Sequence, residues 1–317
     1  MDFAILSNPY CKMNKLDPTY NDKLKKVLGF HGQFYVTKSL EELNQTCKNL
    51  YEKNIQYIGI VGGDGTLSLV LTYLHHHYKF KMPKILLLKA GTINFLAQNL
   101  RLTKNPIDIL RMFLSWKDKN HPFFSVHISM LDVNQRLGFI FANQSSTRFL
   151  EKYYENKTGK RGAFKELTQI ALDGMFLGKL NGQFKKLIQK QKTNLKIQPN
   201  LLNLPEVLES TFLFASTVPL LPFGIRMFKK LQLGDVNPEL VVVQLEGYRL
   251  IFEFSKMFLT NQYQPQYLST LFEKLELNYH EKTTYSLDGD LILSENGKIH
   301  IQKGPAVEFL TLNRIFS

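Results

Sequence analysis

A chain of 317 residues with 44% hydrophobic content is long enough to bury a sizeable core and points to two domains. Its net charge of +13 favours an anionic partner, and nucleic acid, an anionic membrane and a nucleotide all qualify on charge alone. Two cysteines, Cys11 and Cys47, give neither a disulfide framework nor metal-site spacing, no basic n-region with a long apolar stretch opens the chain, and no uncharged apolar run approaches the roughly 18 residues needed to span a bilayer.

The first 124 residues alternate strand and helix signals, the pattern of an α/β domain with a parallel sheet. A strand at Phe3-Ala4-Ile5-Leu6 ends in Ser7-Asn8-Pro9, and Phe34-Tyr35-Val36 reads as a second strand. Ser39 and Glu42 form a capping box ahead of a helical stripe of Leu40, Leu43, Cys47 and Leu50. The apolar run Tyr57-Ile58-Gly59-Ile60-Val61 then leads into Gly62-Gly63-Asp64-Gly65-Thr66, after which Leu67, Val70, Leu71 and Leu74 fall at helical spacing. Strand, glycine turn and helix together suit a phosphate: glycines admit the polyanion to the backbone, and the helix N-terminus offers free N–H groups. An aspartate inside such a turn calls for a cation such as Mg2+ or for a proton-transfer role; otherwise it only caps the helix. A second unit follows, the strand Ile85-Leu86-Leu87-Leu88 and the turn Lys89-Ala90-Gly91-Thr92-Ile93-Asn94, which would place both turns at the carboxyl edge of one sheet. A helix from about Pro106 to Trp116 closes the domain. His75, His76 and His77 point in three directions on one helix, so they read as its solvated end and not as a metal site.

From Phe123 strands follow one another without crossover helices, at Phe123–Ser129, Gly138–Ala142, Phe212–Ala215, Leu240–Val243 and Leu275–Leu277, which indicates an antiparallel β domain over 125–300. Within it, about 150–203 is rich in lysine with apolar residues at near-helical spacing, and is expected to be a basic helical insertion that packs on the sandwich or lies on an anionic membrane surface. Residues 301–317 are expected to send a last strand, Val307 to Leu312, back to the first domain.

The GGDGT turn followed by Gly91-Thr92-Ile93-Asn94 and then Ala97 resembles the diacylglycerol kinase family, which includes sphingosine kinases and bacterial lipid kinases. The resemblance implies a nucleotide domain followed by a β-sandwich with the site in the cleft between them, and transfer of the ATP γ-phosphate to a lipid alcohol. It implies that Asn8, Gly62, Gly63, Asp64, Gly65, Thr66, Gly91, Thr92 and Asn94 hold the nucleotide, with Lys89 adding a point charge and Asp64 holding Mg2+. Leu287-Asp288-Gly289-Asp290 is similar to the family's DGE motif with Asp for Glu, which makes Asp290, or Asp288 if the shorter side chain shifts the geometry, the base for the hydroxyl proton. An Asp-Gly-Asp is also an ordinary hairpin turn. Asp235 resembles a structural Mg2+ ligand of some bacterial members.

Several positions depart from the family pattern. Tyr10-Cys11-Lys12 lack the serine and glycine of its first loop, Ser68-Leu69 replace Asn-Glu, Phe95 replaces an Asp, and Gln98 an Arg. The implied partners are ATP, a lipid alcohol and an anionic membrane, with a homodimer left open, at the cytoplasmic face of the inner membrane. Two alternatives stand beside this reading: a family member that binds lipid or nucleotide without turnover, and an NAD kinase, which shares GGDGT. Nucleic acid has charge in its favour and no motif.

Overall fold

The computed structural model describes residues 2–79, 81–155, 182–247, 249–250, 252–253 and 267–311. Strands β1 (Phe3–Ser7), β2 (Gln33–Val36), β3 (Tyr57–Gly62) and β4 (Lys84–Lys89) lie parallel in the order β2-β1-β3-β4. Their central strands are unbroken apolar runs because helices cover the sheet. Helices α1 (Lys12–Leu16), α2 (Tyr20–Leu28), α3 (Leu40–Glu52), α4 (Asp64–Tyr78), α5 (Phe95–Asn99) and α6 (Pro106–Asp118) connect them, with α2 packed on α6 and α3 on α4. Half of the expected capping box forms: the Glu42 N–H donates to Ser39 Oγ at 3.1 Å, but Glu42 Oε2 accepts from the Lys38 N–H at 2.7 Å, one residue before the cap. Pro106 opens α6, where Asn105 caps the Asp108 N–H. The three histidines lie inside α4, which runs on to Tyr78, and His77 Nε2 meets Asn44 Oδ1 at 3.0 Å.

The same sheet continues into the second half of the chain. Strand β16 (Lys298–Thr311) pairs with β4 in parallel, Phe309 opposite Ile85, and antiparallel with β5 (Phe124–Val133). β6 (Arg136–Gly138), β13 (Lys274–Asn278), β8 (Gln191–Gln198) and β9 (Val207–Ser210) complete ten strands. Six more form a second, antiparallel sheet: β12 (Leu268–Leu271), β11 (Glu239–Val243), β10 (Phe212–Ser216), β7 (Ile140–Gln144), β14 (Thr283–Leu287) and β15 (Asp290–Ser294), in that order. Between the sheets lies a core of Leu131, Phe141, Leu213, Leu275, Tyr285 and Ile301 among others. The fold is thus an α/β unit with a parallel sheet followed by an antiparallel β-sandwich, as expected.

Two expectations are corrected. The single strand expected at Gly138–Ala142 is two, because the chain leaves the first sheet after Gly138 and enters the second at Ile140. At the crossing, the N–H groups of Phe139 and Ile140 donate to a carboxylate instead of a strand ladder. The basic helical insertion does not extend over 150–203: α7 (Ser145–Glu155) and α8 (Gly182–Leu187) are helical, but 191–198 is a strand. Thr193, Leu195 and Ile197 face inward there while Lys192, Asn194 and Lys196 face water, a period of two that the lysine content masked. Residues 156–181, where many of the lysines and apolar positions of that expectation fall, lie outside the described residues, as does Leu312.

The joint between halves rests on aromatic packing. Phe309 is wholly enclosed and meets Phe139 at 6.1 Å between ring centroids, and Phe139 meets Phe95 at 6.4 Å. Phe309→Ala is expected to cost about 3–5 kcal/mol in urea unfolding, whereas Lys196→Ala on the outer face should stay within about 0.5 kcal/mol.

Candidate functional site

The two glycine turns lie side by side at the carboxyl ends of β3 and β4. A Cβ on Gly91 would stand 2.3 Å from the Gly63 Cα, so glycine is required for the backbones to approach this closely. The Ala90 N–H donates to the Gly62 carbonyl at 2.8 Å, and a Cβ on Gly62 would collide with the Thr66 side chain. Thr66 Oγ1 accepts from Asn8 Nδ2 at 2.8 Å, which brings the loop after β1 to the same cradle. Asn94 takes the left-handed conformation at φ 52° and braces its own turn, its Oδ1 accepting from the Gly91 N–H at 3.0 Å and its Nδ2 donating to the Gly91 carbonyl at 3.1 Å. Thr92 is exposed. Asn8, Gly62, Gly63, Asp64, Gly65, Thr66, Gly91, Thr92 and Asn94 therefore share one edge of the sheet. Lys89 does not join them: its Nζ donates to the carbonyls of Leu102 at 2.5 Å and Thr103 at 3.2 Å.

Three aspartates converge on the first turn of α4, each in a different setting. Asp64 is the first residue of that helix and reaches across to the start of α5, where backbone N–H groups of Phe95, Leu96 and Asn94 face its carboxylate. Burial nevertheless holds its pKa above the usual carboxylate range, against those donors.

Asp288 and Asp290 come from the hairpin that joins β14 to β15. Asp288 at φ 52° and Gly289 at φ 94° form a two-residue loop with both positions left-handed, which turns the two aspartates in different directions. The Asp-Gly-Asp is thus a hairpin turn and a site element at once. Asp288 points back into the protein, where Oδ1 accepts from the Phe139 N–H at 3.0 Å and the Ile140 N–H at 2.8 Å, and Oδ2 accepts from Ser68 Oγ. Its burial outweighs all three donors and pushes its pKa up to about 7, with the nearby Asp64 adding a smaller push in the same direction. Asp290 faces the cradle: a Cβ on Gly65 would lie 3.0 Å from Asp290 Oδ1. Its Oδ2 accepts from Arg136 Nη2 at 2.7 Å.

One face of α4 receives the second half of the chain. Gly65 lies under Asp290, Ser68 binds Asp288, and Thr72 Oγ1 accepts from the Leu137 N–H at 3.1 Å. These positions fall within two turns on one side of the helix, while Leu67, Val70, Leu71 and Leu74 bury the other side. Ser68, a departure from the family pattern, is therefore the partner of Asp288, and Phe95, another, is the buried end of the aromatic chain to Phe309. Asn99 adds a further clamp, its side chain bonding both the Leu220 carbonyl and the Leu220 N–H at 3.1 Å. Arg136 and Asn99 were not anticipated, since neither stands in a motif. Asp235 stays apart, accepting from the Gln232 N–H in its own turn beside His127. Among the described residues no group of three or more His, Cys, Asp or Glu side chains is placed to hold a metal by itself, and no helix is long and apolar enough to cross a membrane.

Residues 3–122 match the family model described as the diacylglycerol kinase catalytic domain, which covers both glycine turns. Among solved structures, a candidate diacylglycerol kinase from Bacillus anthracis str. Sterne aligns with TM-score 0.72 at 14% identity, over 99% of this chain and 96% of that one. Another structure described as a diacylglycerol kinase from the same organism aligns with TM-score 0.64 at 12% identity, over 99% and 98% of the two chains. At these identities the likeness shows the fold alone. No curated protein matches.

Two outcomes are expected. A Gly91→Ala variant should force the turns apart and cost about 1–3 kcal/mol in urea unfolding, the range for overpacking a close approach. Because burial lifts the folded Asp288 pKa to about 7, well above the ordinary carboxylate value that it has in the unfolded chain, the folded state holds its proton where the unfolded state has lost it. Stability should therefore fall as pH rises from about 4 to 7, by up to about 1.4 kcal/mol per pH unit. Asp288→Asn keeps an acceptor for the two N–H groups and should flatten that slope in urea unfolding across the same range.

Proposed function

We propose that the protein, whose residues 3–122 match the diacylglycerol kinase catalytic domain model, transfers the γ-phosphate of ATP to the hydroxyl of a lipid alcohol, of diacylglycerol or sphingoid type, at an anionic membrane surface. The observation that carries this reading is Asp290 held over Gly65, which sets a carboxylate from the second half beside the phosphate cradle of the first. Backbone N–H groups at the start of α4, with the Thr66 hydroxyl, hold the nucleotide phosphates. Asp290 accepts the proton as the lipid oxygen forms its bond to the γ-phosphorus and the bond to the β-γ bridging oxygen breaks, releasing ADP. Asp288 is enclosed and committed to Ser68, Phe139 and Ile140, so its role is to fix the hairpin that presents Asp290. Lys89 serves the end of α5 and not the phosphates.

The donor set suits a single Mg2+ that arrives with the nucleotide: Mg2+ keeps several waters and takes one or two carboxylates beside phosphate oxygens. Asp64 in the cradle is the residue to hold it, and the ion would neutralise charge on the β- and γ-oxygens. Asp235 accepts from the Gln232 N–H in a separate turn, so a Mg2+ there would be a second ion and not the one that arrives with the nucleotide. The net charge of +13 supports attraction to an anionic bilayer.

With labelled ATP and mixed micelles of lipid alcohols, the wild type should yield a labelled lipid in the presence of Mg2+. Asp290→Ala should lower kcat by about 100- to 10,000-fold with ATP still bound, the range for loss of a general base, and Asp64→Ala should abolish the dependence on Mg2+ together with the product. ATP bound without any labelled lipid would favour a nucleotide-binding protein instead. A labelled dinucleotide in a parallel assay with NAD would favour the NAD kinase reading.

A further inference from the structure

We infer that Arg136 is a positioning residue for Asp290, holding its carboxylate over the first turn of α4 so that it can take the acceptor's proton; this deepens the kinase reading and rests on it. Arg136 starts β6, directly after the two-residue loop Asn134-Gln135, whose φ angles of 48° and 69° make the β5–β6 hairpin turn tight. That loop is pinned from two sides. Asp132 Oδ1 accepts from the Gln135 N–H at 2.9 Å, and Asn134 exchanges bonds with β16, donating its N–H to the His300 carbonyl at 3.0 Å and accepting from the His300 N–H at 2.9 Å. The guanidinium therefore leaves a rigid base in the first sheet. Its Nη2 meets Asp290 Oδ2 at 2.7 Å, and Asp290 belongs to the second sheet.

The pair thus joins the tips of two hairpins from different sheets above one helix. Leu137, next to Arg136, fastens its own hairpin to α4 through Thr72, while Asp288 fastens the other through Ser68. Arg136 closes the remaining side of this frame. Without it, Asp290 would keep its backbone position but lose the partner that selects one orientation for its carboxylate. An aspartate is one methylene shorter than the glutamate of the family pattern, so the orientation of the side chain matters more here. Arginine suits the task, since its planar fork directs a carboxylate and lysine offers only a point charge. The Arg136 Nε is enclosed without a partner, and among the described residues the hydrogen bond that this side chain makes is the one to the Asp290 carboxylate.

The test compares wild type, Arg136→Ala, Arg136→Lys and Asp290→Ala in the micelle assay, with ATP affinity measured separately and guanidinium chloride added at non-denaturing millimolar concentration. A positioning role predicts that Arg136→Ala lowers kcat by about 100-fold, as the loss of aligned proton transfer does, while ATP affinity and KM for ATP change less than about threefold. Arg136→Lys should recover part of that loss, added guanidinium should raise kcat of Arg136→Ala and not of Asp290→Ala, and a protein carrying both Arg136→Ala and Asp290→Ala should be no slower than Asp290→Ala. Full activity in Arg136→Ala would overturn the inference, as would a loss insensitive to both lysine and guanidinium, or a loss confined to KM for ATP. A wild type that binds ATP and forms no phosphorylated lipid would overturn the kinase reading and this inference with it; an active wild type with unaffected Arg136 variants would overturn the inference alone.

Discussion

Helix α4 is enclosed on two sides, and the rest of the site depends on that. Its apolar side is part of the first core, and its small polar side, Gly65, Ser68 and Thr72, is the ground on which the second half of the chain settles. A large side chain at any of the three would hold the two hairpins away. A buried polar stripe is costly unless every donor and acceptor finds a partner, and here the partners come from residues far along the chain. The same bonds that satisfy the helix therefore fix the distance between the glycine turns and Asp290. Folding and assembly of the site are one event in this arrangement.

Three carboxylates share a small volume and take three different environments. Asp64 sits among backbone donors at the start of α5, Asp288 is enclosed and binds three donors with its pKa near 7, and Asp290 is partly open and paired with Arg136. Burial and donor count divide the work: the enclosed aspartate serves geometry, and the open one is the carboxylate that the proposed kinase reading assigns to proton transfer. The asymmetry follows from the left-handed Asp288-Gly289 loop, which points adjacent acids in different directions.

What could be read in the sequence was local. The strands before each glycine turn, the N-cap of α3, the start of α6 at Pro106, and the GGDGT and GTxN turns are short stretches whose physics is complete within a few residues. The pair Ser68 and Asp288, separated by 220 positions, could not be found this way, and Ser68 looked like an erosion of the family pattern until its partner was seen. Phe139 read as an ordinary strand residue because nothing local marks a change of sheet. Strand β8 was hidden by its lysines: they face water on one side of a strand as readily as on a helix. Lys89, read as a point charge for phosphate, is drawn instead to the carbonyls of Leu102 and Thr103, which the turn sequence does not reveal. Arg136 carries no motif and matters only through the hairpin it meets.

The most direct measurement is a crystal structure of the protein with Mg2+ and a non-hydrolysable ATP analogue. The account predicts phosphates seated on Gly62–Thr66 against Gly91, with the γ-phosphate beside Gly65 and facing an Asp290 still held by Arg136. A nucleotide bound away from these turns, or a γ-phosphate out of reach of Asp290, would contradict it.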